Sequence, residues 1–430
     1  MIKIVLALYS FALFLALPII LPLLMTKRKN KPAIGSRWKE YFGSSYTCPN
    51  ATGALWIHAV SVGEVIAASP LISQLKNDFP NREIIVTTTT TTGAEQVKKL
   101  RVDVIHCYMP LDFKWAIRAF LKATKPSHLF IMETELWPNT LTVTAAMGVT
   151  ISILNARLSE KSFRSYQRFN LLFKSMISNV SLIVCQAQSD ASRFLKLGVS
   201  TDSIALSGSI KYDLNIDSTQ INNAEQLRAT LGENRQCWLA ASTHKGEDEI
   251  IINLHKKLKT KYPELFLVLV PRHPERFEDV FKLSHSRGFK TINRSAIDHD
   301  NSLDSVADVV IGNTMGEMQT YIQMCDFCFM GGSLVGSSVG GHNVLEPAAL
   351  GKPVITGPSY YNFSDITEIL KSSNGLFIAN NEADIYQYCE VLLSNPALAI
   401  DMGLNAQTIF KTNQGATGKT IDLIKSLIEK

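Results

Sequence analysis

Short β-rich runs alternate with helical stretches along this sequence, and the alternation constrains the fold more than any other feature. Between two of these runs, residues 69–79 place apolar side chains at 71, 72, 75 and 79, which is helical spacing. Strands that alternate with helices predict right-handed βαβ units and a parallel sheet covered on both faces. In the first half the runs that favour strands are residues 54–60, 83–89, 128–132, 150–154 and 182–185.

The pattern restarts after residues 211–222, which lack apolar periodicity and are interpreted as a linker. A chain of 430 residues, 46 % of them hydrophobic, has the length and the apolar material for two cores. We therefore expect two parallel α/β domains, which normally bind ligands in the cleft between them at the carboxyl ends of strands. The last helix, within 418–430, could pack on either domain. The second set of strands is predicted at residues 237–241, 265–270, 309–311, 327–330 and 354–355.

The N-terminus carries an apolar stretch at residues 4–25, whose 22 residues suffice to cross a bilayer core of about 30 Å as a helix. One lysine precedes it and a basic cluster at 27–31 follows, which by the positive-inside rule predicts an anchor with the rest of the chain in the cytosol. The charge order argues against a cleavable signal peptide. Apolarity on every side argues against a buried core helix. Pro18 and Pro22 leave open a tilted or partly inserted anchor.

Charge and cysteine usage narrow the function classes. Net charge is +5, but residues 1–31 hold five basic residues and no acidic one, so the other 399 residues carry 38 of each sign. A neutral body disfavours a nucleic-acid partner. The seven cysteines are scattered and odd in number, which fits a reducing compartment. Cys325 and Cys328 form the one CxxC, inside an apolar run that favours buried packing over a zinc site.

Acidic residues follow two predicted strands of the first half. Glu64 comes directly after the first strand, where a carboxylate could take a proton from a hydroxyl, although it could equally complement the dipole of the following helix. Glu133 and Glu135 follow another strand and precede Trp-Pro, which favours a ligand-lining loop. Arg157 and Lys211 could face a ligand, or they could be solvated ion-pair partners.

The second half carries a denser set of polar residues and glycines at predicted strand ends. Arg272 and His273 offer donors to a phosphate, residues 314–318 open a helix, and glycine pairs at 331–332 and 340–341 bracket a loop. Together these features predict a nucleotide pocket in which Glu346 accepts hydrogen bonds from ribose hydroxyls. The sequence has no Walker P-loop and no GxGxxG after a first strand, so ATPase and NAD chemistry are disfavoured. We do not expect a DxD-type divalent metal site.

Four motifs closely resemble the bacterial 3-deoxy-D-manno-octulosonic acid (Kdo) transferases of lipopolysaccharide synthesis, a likeness that covers essentially the whole chain. They are HAVSVGE at 58–64, ETELWPN at 133–139, PRHPER at 271–276 and GHNVLEP at 341–347. The resemblance implies an α/β GT-B glycosyltransferase fold, with two Rossmann-like domains facing a cleft and an N-terminal transmembrane anchor. The implied boundaries are 1–31 for the anchor and basic flank, 32–214 for the acceptor-binding domain, and 215–430 for the nucleotide-sugar domain with its C-terminal helix.

The same resemblance implies an inverting transfer of Kdo from CMP-Kdo to the lipid A precursor lipid IVA, without a cofactor or metal. It also implies a single-pass protein of the inner membrane with its catalytic domains on the cytoplasmic side. Glu64 would be the proton acceptor, and Glu135 and Lys211 would stabilise the transition state. The stretch 333–340 is longer than the family pattern suggests. The implied CMP contacts are Pro271, Arg272, Met315, Gly316, Glu317, Asn343, Val344, Leu345 and Glu346.

Two alternatives remain. Another GT-B glycosyltransferase, using a UDP-sugar with a membrane lipid or peptidoglycan acceptor, would tolerate the same pocket motifs, but residues 133–139 disfavour it. A membrane-tethered nucleotide sensor or lipid-binding scaffold would bind CMP or lipid without turnover. The acid at position 64 disfavours that reading.

Overall fold

The structure, a computed structural model, describes residues 2–25, 35–44, 53–297, 307–336 and 339–429. Within the first helix, side chains are described at residues 4–20 and 22. The chain divides into two compact units, the first formed by Met1–Asp213 with Gln414–Lys430 and the second by Leu214–Asn413. The predicted pair of α/β domains is therefore present.

The first unit is built on a seven-stranded parallel sheet in the order β3-β2-β1-β4-β5-β6-β7. Its strands are β1 (Ala54–His58), β2 (Ile84–Thr88), β3 (Ile105–Tyr108), β4 (Pro126–Met132), β5 (Thr150–Ala156), β6 (Leu182–Cys185) and β7 (Ile204–Leu206). Its first helices are α1 (Ile2–Met25), α2 (Val62–Asp78), α3 (Thr91–Lys98), α4 (Lys114–Thr124), α5 (Pro138–Ala146), α6 (Glu160–Arg168), α7 (Asn170–Ile177) and α8 (Gln188–Lys196).

The second unit is built on another seven-stranded parallel sheet, in the order β10-β11-β9-β8-β12-β13-β14. Its strands are β8 (Cys237–Thr243), β9 (Phe266–Pro271), β10 (Thr291–Asn293), β11 (Val309–Ile311), β12 (Phe327–Met330), β13 (Val354–Thr356) and β14 (Leu376–Ile378). Its helices are α9 (Ser218–Gly232), α10 (Glu247–Lys259), α11 (Phe277–Ser286), α12 (Arg294–Ile297), α13 (Met318–Met324), α14 (Leu345–Ala349), α15 (Ser364–Ser372), α16 (Glu382–Ser394) and α17 (Pro396–Thr412).

All ten predicted strands are present, whereas β3, β7, β10 and β14 were not predicted. These four strands lie at the edges of the sheets, and each has three or four residues. The linker prediction is wrong from residue 218 onwards, because α9 begins there. The apolar residues that α9 buries, Ala224, Leu227 and Leu231, lie beyond the stretch from which the linker was inferred.

The C-terminal helix α18 (Ala416–Ile428) corrects the assignment of residues 414–430 to the second domain, because it belongs to the first unit. Ile421, Ile424 and Ile428 are buried in a core cluster with Leu71 and Leu75 of α2. The helix is also tied by hydrogen bonds. The Asp213 carboxylate accepts the Gly415 and Thr417 amides at 2.7 and 2.5 Å, and a ring nitrogen of His128 lies 2.9 Å from the Leu427 carbonyl.

The predicted apolar N-terminal stretch forms the helix α1. Ser10 and Asn139 of α5 are within hydrogen-bond distance, with Asn139 Nδ2 donating to Ser10 Oγ at 3.0 Å, and Leu6 is buried. Six large apolar side chains of α1, by contrast, are 61–68 % exposed: Ile4, Leu8, Phe11, Phe14, Leu15 and Ile19. Among the described residues, no helix has both the length and the apolarity needed to cross a membrane. The basic cluster at 27–31 lies outside the described residues.

Gly403 in α17 tests the packing of the second unit. A Cβ at this position would lie 1.9 Å from the carbonyl oxygen of Gly351, so Gly403→Ala should lower the free energy of unfolding by about 1–3 kcal/mol through overpacking. Gly418→Ala in α18 is the matched control, since nothing lies within 4 Å of its added methyl group; it should raise stability by roughly 0.5–1 kcal/mol. Urea unfolding followed by circular dichroism measures both. A Gly403→Ala protein as stable as the wild type would contradict this packing.

Candidate functional site

The first sheet reverses its strand order beside β1, where β2 lies on one side and β4 on the other. In open α/β sheets the crevice at such a reversal, beyond the carboxyl ends of the strands, is the usual ligand site. Glu64 follows β1, and Glu133 and Glu135 follow β4. The fold thus brings together the acids that the sequence analysis singled out at two separate strand ends.

Glu64 lies in the first turn of α2, and its carboxylate is held by the residues that precede the helix. The Val60 amide donates to Oε2 at 2.8 Å, and the Ser61 hydroxyl donates to Oε1 at 3.0 Å. Ser61 is the N-cap of the helix. The helix-terminus role kept as an alternative for Glu64 is therefore present, and it fixes where the carboxylate lies.

The environment of Glu64 raises its pKa to about 7. Burial is the largest cause, and the negative charges of Glu133 and Glu135 raise the pKa further, while the hydrogen bonds from Val60 and Ser61 oppose the shift. A carboxylate that titrates near neutral pH can accept a proton and release it again at that pH. Among the acids at this edge of the sheet, Glu64 is therefore the candidate for a proton acceptor.

Lys211 forms an ion pair with Glu133, with Nζ 3.0 Å from Oε1. Lys211 lies in the 3₁₀ turn Ile210–Tyr212, which is fixed by the Ile210 amide donating to the Asn155 side chain at 3.1 Å. Glu133 and Asn155 both have positive φ, 58° and 54°, which is uncommon for residues other than glycine. The ion-pair partner of Lys211 is thus the first acid of the motif, a residue to which the sequence analysis assigned no such role.

Glu135 lies on an open pocket of about 210 Å³ in the first unit. Burial and the neighbouring Glu133 raise its pKa. Thr134 joins this loop to the end of β5, because its hydroxyl donates to the Arg157 carbonyl at 2.5 Å and accepts the Arg157 amide at 3.2 Å. Carboxylates, hydroxyls and a guanidinium around one pocket suit a polyhydroxylated ligand. The lining residues are Glu133, Thr134, Glu135, Arg157, Ser159, Ser162 and Tyr166.

The second sheet also reverses its strand order, beside β8, and the fully buried Glu247 joins the two sides of that reversal. Its carboxylate accepts the His244 amide at 2.9 Å from the loop after β8. It also accepts three amides from the loop after β12: Gly332 at 2.7 Å, Ser333 at 3.0 Å and Leu334 at 2.9 Å. Glu247 is not among the residues predicted from the sequence. Its position in the first turn after a strand, like that of Glu64, was the available signal.

Of the two arginines in the motif at 271–276, Arg276 ties the segment after β9 to β8 and α10. It forms an ion pair with the fully buried Asp248 and donates to the Thr243 carbonyl at 3.2 Å. Arg272 is exposed directly after β9. Burial lowers the pKa of His342 and the charge of Arg272 lowers it further, while the same charge opposes the burial that raises the pKa of Glu346. Arg272 is thus close enough to act on both His342, in the loop before α14, and Glu346, in the first turn of α14.

The other residues implied as nucleotide contacts lie in two segments, 343–346 and 315–317. Asn343 caps the turn into α14, its side chain accepting the Leu345 amide at 3.0 Å and donating to Glu346 at 3.3 Å. Glu317 follows β11 and is bound to Arg294 at 3.1 Å, to Tyr321 at 3.0 Å and to Thr314. The Glu317 carboxylate therefore holds its own turn together. In that turn Met315 is exposed and Gly316 has a φ of 86°.

No group of three or more His, Cys, Asp or Glu side chains that could hold a metal occurs in the described part of the chain. Cys325 and Cys328 are both buried, as the packing interpretation of the CxxC predicts.

Comparison with known proteins decides the family. The family whose model matches, at residues 36–214, is described as 3-deoxy-D-manno-octulosonic-acid transferase (kdotransferase). A 3-deoxy-D-manno-octulosonic acid transferase of Haemophilus influenzae is 38 % identical over 426 residues, covering 98 % of both chains. This chain belongs to the Kdo transferase family. The resemblance inferred from the four motifs is thereby confirmed, as is the expectation of a glycosyltransferase enzyme.

A more distant relative and a solved structure support the same family and the same fold. A probable mitochondrial Kdo transferase of Arabidopsis thaliana is 32 % identical over 371 residues, covering 84 % of this chain and 82 % of the relative. A solved glycosyltransferase structure from Rickettsia africae matches with a TM-score of 0.56 and 14 % identity, covering 88 % of this chain and 99 % of that one. That likeness supports the GT-B fold, with its two α/β units.

Because its pKa is raised, Glu64 should make the free energy of unfolding depend on pH. Its folded pKa of about 7 lies above an unfolded value of about 4.3, so ionisation destabilises the folded state as pH rises through that interval. Glu64→Gln should therefore raise the free energy of unfolding relative to wild type more at pH 8 than at pH 5, which urea unfolding at the two pH values measures. Glu95→Gln, which removes an exposed carboxylate paired with Lys98, should show no such increase. An effect of Glu64→Gln that is the same at both pH values would contradict the raised pKa.

Proposed function

We propose that this Kdo transferase family member moves Kdo from CMP-Kdo to the lipid A precursor lipid IVA, with inversion at the anomeric carbon. The observation that carries the proposal is the Glu64 carboxylate at the carboxyl end of β1, with its pKa raised to about 7 and Glu133 and Glu135 beside it. Inverting transfer needs one base that takes the proton of an acceptor hydroxyl, and Glu64 has that property.

In the proposed reaction Glu64 removes the proton from the acceptor hydroxyl, whose oxygen attacks the anomeric carbon of Kdo while CMP leaves. Positive charge develops on the sugar ring in such transfers. Glu135 supplies negative charge to stabilise it, while Lys211 supplies positive charge to the departing phosphate. The ion pair with Glu133, at 3.0 Å, orients Lys211 before the reaction. The polar pocket lined by Glu135 and Arg157 accommodates an acceptor sugar.

The second unit binds the donor nucleotide in this proposal. Arg272 contacts the single phosphate of CMP, and Pro271, Met315, Gly316 and Glu317 form further contacts. Asn343, Val344, Leu345 and Glu346 complete the set, with Glu346 accepting hydrogen bonds from ribose hydroxyls. The exposure of Arg272 and its influence on the pKa of Glu346 support this assignment.

The test of the reaction is incubation with CMP-Kdo and lipid IVA followed by mass analysis of the product. Glu64→Gln should lower the rate by about 10²–10⁴-fold, because a general base acts in the transition state, while CMP affinity stays near wild type. Glu95→Gln serves as the control and should keep full activity. A Glu64→Gln enzyme with half the wild-type turnover would refute the proton-acceptor role. A chain that transfers a sugar only from a UDP donor would refute the assignment of the donor.

The donor assignment gives a further prediction. CMP carries one phosphate, so Arg272 and backbone amides can neutralise it, whereas departing nucleoside diphosphates usually rely on a cation. We expect turnover to survive EDTA and CMP to inhibit more strongly than UDP. Arg272→Ala should raise the CMP inhibition constant by about tenfold or more, as loss of a charged hydrogen bond does. Arg287→Ala, at the exposed end of α11, is the matched control. Dependence on added magnesium, or tighter inhibition by UDP, would instead favour a UDP-sugar donor.

We also infer that α1 attaches the chain to the inner membrane with both units on the cytoplasmic side. The exposed apolar side chains of α1 and the basic cluster at 27–31 support this location. The double variant Leu8→Glu/Phe11→Glu should lose most of its binding to anionic vesicles in flotation. The control Ile400→Glu/Leu404→Glu, on an exposed apolar pair of α17, should bind like wild type. Equal binding of both variants, or protection of the units from protease inside inverted vesicles, would overturn the inference.

A further inference from the structure

Two histidines of the second unit meet through their ring nitrogens. His244 follows β8 and His342 lies in the loop before α14, and their Nε2 atoms are 2.9 Å apart. The rings are nearly parallel, at 7°, with centroids 5.1 Å apart. Because the centroids are so much farther apart than the nitrogens, the rings meet at their edges, as in an N–H···N hydrogen bond, and not face to face.

This geometry limits how many protons the pair holds. A hydrogen bond between two Nε2 atoms needs a proton on one of them and a lone pair on the other. One additional proton can enter at an outer Nδ1 atom without disturbing the bond, whereas a second would make both rings donors at Nε2. The histidine pair can therefore gain one positive charge while its hydrogen bond is kept, and it cannot gain a second without losing that bond.

Both histidines are held in place by the buried carboxylate of Glu247. It accepts the His244 amide and, from the other side, the Gly332 amide. Gly332 lies against the His342 ring: a Cβ on it would be 2.7 Å from the ring carbon Cδ2 and 2.8 Å from Nε2, and its φ is +68°. Only glycine fits this approach and this backbone conformation. The contact between the two rings is thus fixed by the backbone of the loops at the sheet reversal.

The charged surroundings favour neutral rings when no anion is bound. From the segment after β9, Arg272, His273 and Arg276 all act on His244, with the His273 ring edge-on at 5.4 Å. From α10, Asp248 opposes them but is itself paired with Arg276, while the Glu247 carboxylate is bound by backbone amides. From α14, Glu346 is near Arg272.

Burial and these positive groups lower the pKa of both histidines, that of His342 to about 3. An anion in contact with the rings reverses this balance, because it stabilises the protonated form. The loops at this reversal therefore combine the fixed positive charges of the arginines with a histidine pair that becomes charged only when an anion is bound.

We propose that His244 and His342 bind the phosphate of the donor nucleotide as a pair and take up one proton when that phosphate gains its second negative charge. The inference rests on the proposed function. In the transfer, the acceptor O–H bond breaks and its proton goes to Glu64, and a C–O bond forms to the anomeric carbon. The bond from that carbon to the phosphate oxygen breaks, and its electrons stay on the phosphate.

The phosphodiester with one charge thereby becomes a phosphomonoester, whose second ionisation lies near pH 6. The additional charge is matched by one proton that the pair takes from solvent. The pair thus stabilises the departing nucleotide through a charge that it does not carry in the free enzyme.

The experiment is calorimetric titration of the full chain with CMP at pH 7.5, in buffers of different ionisation enthalpy. At this pH free CMP is almost wholly dianionic, so proton uptake reports on the protein. Wild type should take up between about one-half and one proton per CMP, whereas cytidine, which has no phosphate, should cause no uptake. His342→Asn and His244→Asn should each abolish the uptake and weaken CMP binding about tenfold or more without weakening cytidine binding. His285→Asn, exposed on α11, is the control and should match wild type.

The outcomes separate this inference from the proposed function. Absence of any CMP binding would refute the donor assignment itself. CMP binding without proton uptake, or uptake that persists in both His342→Asn and His244→Asn, would overturn the histidine pair while leaving the donor assignment intact. If the variants fail to fold, histidine NMR of the wild type decides: imidazolium signals of this pair should emerge at pH 7.5 on adding CMP, and unchanged neutral rings would refute the proposal.

Discussion

Both candidate sites depend on one constraint, the reversal of strand order beside the first strand of each parallel sheet. In a parallel sheet every strand ends at the same edge, and at the reversal the two neighbouring loops diverge and leave a crevice. In the first unit the crevice collects Glu64, Glu133 and Glu135 from loops after β1 and β4. In the second unit it collects His244 and Gly332 from loops after β8 and β12.

The two units place a glutamate in the same local position and use it differently. Glu64 and Glu247 both lie in the first turn of the helix that follows the strand at the reversal, β1 in the first sheet and β8 in the second. Glu247 is fully buried and accepts four backbone amides, so its hydrogen-bonding capacity is taken up by the fold. Glu64 has two donors and two neighbouring carboxylates, so its proton affinity is high. The two glutamates thus differ in the number of donors around the carboxylate, and Glu64, with fewer donors, is the one for which we propose a role in proton transfer.

The strands inside each sheet could be predicted from the sequence because nearly all of their residues are apolar and buried. The edge strands β3, β7, β10 and β14 were missed because they are short and most of their residues are only partly buried. Sequence reasoning located Glu64, Glu133 and Glu135, since polar residues directly after strands stand out against apolar surroundings. It missed Glu247 and the contact between His244 and His342, which are 98 positions apart. Nothing local marks such a pair, because only the sheet order brings their loops together. The assignment of α18 to the second unit was wrong because its apolar face would suit either core.

The position of α18 has a consequence for biosynthesis. The second unit is one continuous segment, Leu214–Asn413, whereas the first unit needs residues from both ends of the chain. Ile421, Ile424 and Ile428 fill the core beside α2, and they leave the ribosome only after the whole second unit has emerged. Domains generally fold in the order of their synthesis. In this chain the core of the first unit stays incomplete until α18 has been synthesised, after the second unit. The nascent chain therefore exposes the apolar surface of α2 that α18 later covers for most of its translation.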